Sequence, residues 1–337
     1  MEILSVTPEI FPLVKTGGLA DVTGALPGAL GVLGGKVKTL VPGYGPVLKA
    51  VKAGKKVATI SDLFGGRAEL ISARVKGLEL IVIKAAHLYD REGGPYGDNQ
   101  GKDWPDNWKR FGALGKVAAM IGTGLIRGYR PDIIHAHDWQ AGLTPAYLAY
   151  GAPTKAKSLF TVHNMAFQGW FDPSVFKELG LPDEAFSVDG VEYYGGVGFL
   201  KAGLQYADYL STVSPSYAGE IRRAEFGMGL EGLLDRRADR LTGILNGIDT
   251  NIWNPEKDLA LASNYSSRSL KRRAENKRAV QQRFGLEISN GPLFGLVSRL
   301  TWQKGIDVFG AAIDDLVRLG GQLCILGSGE KRFEAMI

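Results

Sequence analysis

The sequence predicts an α/β protein built on a mainly parallel sheet with helices on both faces. Three observations carry this. Short β-branched runs alternate with helical patterns along most of the chain, which is how strand–helix–strand units read. Glycine supplies 46 of 337 residues, nearly twice its usual share of about 7% and without a repeating period, as many tight strand-to-helix turns require. The length, with 45% hydrophobic and 22% charged residues, suits roughly two globular domains and excludes a disordered tail, a coiled coil or a collagen-like chain.

Taken in order, residues 3–6 read as the first strand, 19–33 as a helix and 38–41 as the second strand. Between residues 58 and 85 the alternating segments are separated by Gly65, Gly66 and Gly77, which predicts antiparallel strands added to the sheet. Helices are expected over 107–126, 140–150 and 215–223, and strands over 133–137, 159–163 and 209–213. A strand at 241–245 closes a first domain, residues 1–245. Residues 246–291 form a polar, Ser-rich connector with a basic helix. A second domain starts at 292, with a strand at 293–298, a helix at 304–319 and a strand at 322–326, after which a glycine turn leads into a last helix. One such unit is less than a doubly wound domain needs, because parallel strands are covered on both faces and paired at their edges. The second domain, 292–337, is therefore expected to be incomplete.

The basic balance, 40 Lys and Arg against 35 Asp and Glu, comes from one stretch. Arg268, Lys271, Arg272, Arg273, Lys277, Arg278 and Arg283 lie together with Glu275 as their only acid, and outside residues 268–283 the chain has 33 basic and 34 acidic residues. Leu270, Ala274, Val280 and Phe284 fall within about 120° of helix circumference, so the stretch reads as an amphipathic helix with a solvated basic face. Attraction of a polyanion or phosphorylated ligand is the sharper alternative. The single cysteine, Cys324, sits in an apolar run, which leaves no intrachain disulfide and no Cys-based zinc site. The first residues lack a charged region followed by a long apolar one, and no apolar run approaches about 18 residues. A cytoplasmic protein is expected, with neither nucleic acid nor membrane as partner.

Several residues could carry chemistry. Lys15, Thr16, Gly17, Gly18 and Asp21 lie between the first strand and its helix, where backbone amides, helix dipole and a lysine favour an anion. A plain turn explains the glycines as well, and the Walker spacing is absent. Gly227-Met228-Gly229 and Gly327-Ser328-Gly329 lack the context or spacing of a dinucleotide site. His135, His137 and Asp138 end one strand and His163 and Asn164 end the next, at the carboxyl edge where such sheets bind ligands. A metal held by His135, His137 and Asp138 is conceivable but completes no known ligand set, a structural histidine suits His135 better, and a polar ligand site suits His137, Asp138 and His163. Arg299 and Lys304 flank the helix start of the second domain, a natural place for a diphosphate.

Together these motifs resemble the bacterial glycogen synthase family. The resemblance rests on residues 15–22, 94–96, 135–140, 161–164, 225–232, 245–249 and 298–305, in order along the whole chain. It implies a GT-B fold: a complete N-terminal Rossmann-like domain and an incomplete second one. The implied activity is the retaining transfer of glucose from ADP-glucose to an α-1,4-glucan such as glycogen, with no cofactor and no metal. By the resemblance, Lys15, Gly17, Gly18 and Asp21 bind substrate, with Lys15 and Gly18 at the ADP-glucose diphosphate. Asp138, His163, Asn164 and Asn246 bind donor glucose or guide the acceptor, and Arg299 and Lys304 hold the leaving diphosphate. His163, Arg299 and Lys304 are the catalytic candidates. Tyr96 and Trp139 could stack on sugar rings or simply pack. Family chains continue beyond the point matching Ile337, with an acidic motif, a second glycine-rich loop and a returning helix. The alternative expectation is therefore a catalytically impaired remnant that at most binds glucan.

Overall fold

The structure is a computed structural model describing residues 1–337. It comprises two compact units, Met1–Gly247 and Ile248–Ile337. In the first, two long helices, Gly18–Val32 and Asn107–Thr123, and several short ones alternate with short strands: β1 (Glu2–Val6), β2 (Lys36–Pro42), β3 (Lys55–Ile60), β4 (Ala68–Val75), β5 (Leu78–Lys84), β6 (Ile133–His137), β7 (Lys157–Val162), β8 (Trp170–Phe171), β9 (Glu192–Tyr193), β10 (Gly196–Gly198), β11 (Tyr209–Thr212) and β12 (Leu241–Gly243). Nine of them form one sheet in the order β12-β11-β7-β6-β1-β2-β5-β4-β3. Neighbours from β12 through β5 are parallel, whereas β4 pairs antiparallel with β5 and β3 with β4. The glycine-punctuated segment is thus the antiparallel extension the sequence predicts.

β1 is the pivot. It pairs with β2 on one side, Val6 opposite Leu40, and with β6 on the other, Val6 opposite Ala136. The chain winds outward through β2 and then returns across β1 to start β6, so the strand order reverses between β1 and β6. A crevice opens at the carboxyl ends of strands flanking such a reversal, and it is the usual ligand position in open α/β sheets.

The helix Asn107–Thr123 packs on β1 and β2 and buries 13 of its 17 residues, including Phe111, Leu114, Val117 and Ile121. Its glycines allow this depth. A Cβ at Gly115 would stand 3.0 Å from the Thr144 nitrogen, and one at Gly122 would meet Ile134 Cδ1 at 2.6 Å. The single helix expected over 140–150 is two, Asp138–Ala141 and Leu143–Ala149. Pro145 has no N–H to offer the Ala141 carbonyl, which interrupts the ladder there. A small sheet, β8-β10-β9, was not expected, since strands of two or three residues are too short to show a period.

The second unit carries β13 (Leu293–Val297) and β14 (Gln322–Leu326), paired in parallel, with the helix Ile306–Arg318 between them and Lys331–Met336 after them. Its helix starts at Ile306 rather than 304, because residues Trp302–Lys304 form a 3-10 turn and Gly305 takes a left-handed φ of 65°. Leu300, Ile306 and Phe333 are its buried apolar cluster. The amphipathic reading of the basic helix, Arg273–Arg283, is corrected here: Leu270 and Phe284 are 55% and 47% exposed. Polar side chains hold this helix. Buried Gln281 donates to Gln322 Oε1 at 2.6 Å, and Asn276 bonds both the N–H and the carbonyl of Ser263 at 2.9 and 2.8 Å.

Candidate active site

Three residues past β1 the chain places Glu9, only 2% exposed. A buried carboxylate needs donors, and the glycine turn supplies them. Glu9 accepts from the Thr16 N–H at 2.5 Å, the Thr16 hydroxyl at 2.6 Å and the Gly17 N–H at 3.3 Å, while the Tyr96 hydroxyl donates to its Oε1. Thr23, on the helix Gly18–Val32, donates to the Glu9 carbonyl at 2.7 Å. Strand, turn and helix are thereby fastened at one point. Burial and the neighbouring Glu9 charge raise Tyr96 well above the usual phenol range, which keeps its proton in place for the bond.

Above this anchor Lys15 and Asp21 form a half-exposed ion pair, with Nζ at 2.7 and 2.8 Å from the two carboxylate oxygens. Gly17 and Gly18 are open: a Cβ at either would meet nothing within 4 Å. Gly17 lies at φ −156° and ψ −165°, extended backbone that any residue adopts. Neither packing nor conformation in this unit calls for glycine there.

The ends of β6 and β7 carry the second group. His137 is 1% exposed and its Nδ1 shares a hydrogen bond of 3.2 Å with His163 Nε2. His135 turns away to Thr161 Oγ1 at 2.6 Å, which in turn bonds Ser211 Oγ at 2.6 Å. That commitment makes His135 a structural histidine and takes its Nε2 out of any ligand set. Burial pushes His135 down to about 3 and His163 to about 4, and holds His137 well below its ordinary value, so all three are neutral near pH 7. Asp138 adopts a left-handed φ of 56°, uncommon for a residue with a Cβ and frequent at functional positions. Its Oδ1 accepts the His163 N–H at 2.7 Å and the Asn164 N–H at 3.4 Å. Burial pushes its carboxyl up to about 7, with those two N–H groups pulling the other way and Glu9 adding to the rise. Asn164 turns its Oδ1 to the Ala166 N–H at 2.9 Å.

The two groups share one neighbourhood at the carboxyl ends of β1, β6 and β7. Phe111 joins them, its ring centroid 5.9 Å from that of Tyr96 and 5.0 Å from that of Trp139. Trp139 also packs on Phe171 and Phe199, and a Cβ on Gly169 would meet its ring at 2.3 Å. Tyr96 and Trp139 are therefore buttresses in this structure, one hydrogen-bonded to Glu9 and one walled by aromatics. Asn246 lies exposed three residues beyond the carboxyl end of the edge strand β12.

In the second unit, Arg299 and Lys304 are exposed on the segment joining β13 to its helix. That segment is tied to the turn after β14 by the Leu300 N–H to the Ser328 carbonyl and the Glu330 N–H to the Leu300 carbonyl, both 2.9 Å. A Cβ on Gly327 would meet the Ser298 carbonyl at 2.1 Å and one on Gly329 the Leu300 carbonyl at 2.2 Å. Those glycines answer to backbone packing and not to a dinucleotide. Gly227 ends a short helix, Ala224–Gly227, and Gly229 follows it, the two lying against Glu231 and Tyr194, which likewise removes the nucleotide reading.

Residues 2–236 match the family model of the starch synthase catalytic domain. The chain belongs to the starch synthase family. It is 55% identical over 337 residues to a glycogen synthase of Mesorhizobium japonicum, covering all of this chain and 70% of that one. A glycogen synthase of Rhodopseudomonas palustris is 53% identical over 335 residues, covering 99% of this chain and 69% of the relative. Among solved structures, the catalytic domain of starch synthase IV from Arabidopsis thaliana, bound to ADP and acarbose, superposes with a TM-score of 0.86 at 30% identity, over 99% of this chain and 71% of that one. The fold is accordingly that of the GT-B starch synthases, with part of the second domain, and the chain is a glycosyltransferase of glycogen and starch synthesis. None of its helices is long and apolar enough to cross a membrane.

Within this site, Glu9 is the residue that sequence reasoning passed over. Its signal was a lone acid in the otherwise uncharged stretch 3–14, just before a glycine turn. The Thr161 and Ser211 relay behind His135 left no such signal, because hydroxyls inside strands are commonplace.

Proposed function

We propose that the chain catalyses retaining transfer of glucose from ADP-glucose to the non-reducing end of an α-1,4-glucan, and that it does so in the cytoplasm. Residues 1–245 are assigned to the acceptor-side domain, 246–291 to the connector and 292–337 to the start of the nucleotide-sugar domain. Lys15, steered by Asp21, and the Gly17-Gly18 turn meet the donor diphosphate. Asp138, His163 and Asn164 bind sugar hydroxyls, His163 as a neutral imidazole, and Asn246 guides the acceptor. Arg299 and Lys304 hold the leaving group. As the bond between glucose C1 and the phosphate oxygen breaks, negative charge builds on the diphosphate, so cations there stabilise the transition state more than the bound substrate. Tyr96 and Trp139 are braced through Glu9 and Phe111 and stand where a sugar ring can stack.

The observation that carries the reading is the open pair Gly17 and Gly18, at the crevice beside β1, where the protein itself gives no reason for glycine and a close-approaching ligand does. Identity of 55% with a glycogen synthase across the whole chain supports catalysis over the binding-only remnant. The test is incorporation of labelled glucose into glycogen from ADP-glucose, beside UDP-glucose and a Lys15→Ala variant. ADP-glucose is expected to be preferred, and the variant to lose about 10- to 1000-fold in kcat/KM, as for removal of one charge-stabilising group. Failure of the folded protein to transfer, or transfer that ignores Lys15, sinks the proposal.

A further inference from the structure

Beside Val14, a cavity of about 380 Å³ is lined by Tyr44, Pro46, Tyr89, Arg91, Gly94 and Arg110 among others. Arg110 projects from the deeply buried helix Asn107–Thr123 and its side chain is fully enclosed. Its Nε donates to the Leu88 carbonyl at 2.9 Å, and its Nη1 to the Pro95 carbonyl at 2.8 Å and to Asn107 Oδ1 at 2.6 Å. Nη2, with two N–H groups, has no part in these bonds. No carboxylate pairs with Arg110. Asp106 nearby is engaged by Arg91, with both contacts at 2.8 Å. The guanidinium instead lies 5.5 to 5.9 Å from the ring centroids of Tyr44, Tyr89 and Phe111. Tyr44 is 6% exposed, and its buried hydroxyl also lacks a partner.

A buried cation without a counter-charge is costly, and so is a buried hydroxyl without a partner. Here both line the same cavity. We propose that this cavity is an anion site that takes a phosphate group, free or as a phosphomonoester, through Arg110 Nη2 and the Tyr44 hydroxyl. The two N–H groups of Nη2 and one O–H can each donate to an oxygen of a tetrahedral oxyanion. The volume falls within the range of small-ligand pockets, about 300–1,000 Å³, so a small organic group on the phosphate can be accommodated. The exposed Glu92 on the lining disfavours a polyanion, which points to a single phosphate group. The cavity adjoins the Glu9-anchored turn, since Val14 and Pro95 line it and Tyr44 feels the Glu9 charge, but its cation is Arg110 and not Lys15, which is paired with Asp21.

The test is calorimetric titration of the full chain with inorganic phosphate and with glucose 6-phosphate at fixed ionic strength, with acetate as the planar control. Saturable one-to-one binding of at least one phosphate probe is expected, unchanged in Lys15→Ala, about tenfold weaker in Tyr44→Phe and lost in Arg110→Gln. A tighter fit of the sugar phosphate than of inorganic phosphate identifies an organic source, and the reverse identifies the free ion. Tyr44→Phe keeps the ring and its packing, so it decides the matter even if Arg110→Gln fails to fold. The proposal is overturned if neither phosphate probe saturates, if Tyr44→Phe binds as the parent does, if Lys15→Ala abolishes binding, or if acetate binds as tightly as phosphate.

Discussion

Asp138 combines a left-handed backbone with an enclosed carboxyl, two features that each cost stability. Its pKa is raised from 3.8 to about 7, so the folded chain holds this proton longer than the unfolded chain does. The stabilisation tied to that proton is complete below about pH 4 and is lost as pH climbs through 7. Asparagine keeps the acceptor for the His163 N–H, tolerates the same φ and carries no charge. Asp138→Asn is therefore expected to melt higher than the parent at pH 8 and by a clearly smaller margin at pH 5, with about 2–4 °C for each kcal/mol gained. Melts at the two pH values check this, and an equal shift at both would trace the effect to packing. Activity is expected to fall as stability rises, the usual trade at a binding residue. At this scale the sequence was legible for Asp138, His137 and His163, because chemistry-bearing side chains closing two apolar strands stand out. Glu9 and Arg110 were not, since only the folded chain reveals which charges lose their water.

The turn between β1 and its helix offers a separation of structure from function. Gly17→Ala fits an extended conformation, and Gly18→Ala enters the first turn of a helix, where alanine is favoured over glycine by up to about 1 kcal/mol. Both variants are expected to melt no lower than the parent while losing transfer activity, and unimpaired activity would remove the ligand-approach role. The paired ends of β6 and β7 make a different prediction. His135, His137 and His163 are held neutral with lowered pKa values, so their contribution is present above about pH 6.5 and lost as pH falls toward 4. Between about pH 4.5 and 6 unfolding takes up about three protons on these rings and releases about one from Asp138. The net uptake makes stability fall on acidification, by on the order of a few kcal/mol per pH unit. Denaturant titrations at pH 5 and 6 measure that slope, and a flat profile contradicts it. Elements with a strong period were legible. The split at Pro145 and the polar seating of the basic helix were not, because an apolar stripe in sequence does not guarantee anything to cover it.

Across the molecule the two units differ in what they bury. Met1–Gly247 has a continuous apolar core running through the sheet and its helices, whereas Ile248–Ile337 encloses Leu300, Ile306 and Phe333 and leaves Phe294 and Val297 of β13 exposed. Local opening is easiest where few apolar groups are buried. Amide exchange is expected to be faster in β13 and β14 than in β1, β2 and β6, and equal protection in both sets would refute this. The α/β class and the parallel order of the early strands could be read from the alternation alone. The place of β1 between β2 and β6 could not, because strand order depends on which side each crossover returns to, and local residues do not encode that.

The central position of β1 has a consequence for the timing of synthesis. β2 follows it closely in sequence, but β6 lies about 90 residues beyond the end of β2. At roughly 5–20 residues per second, the emerging chain carries β1 with one edge unpaired for on the order of 5–20 seconds. During that interval Leu4 and Val6, fully buried in the finished protein, lie on an open strand edge, so the nascent chain is most exposed to mispairing before residue 133 leaves the ribosome.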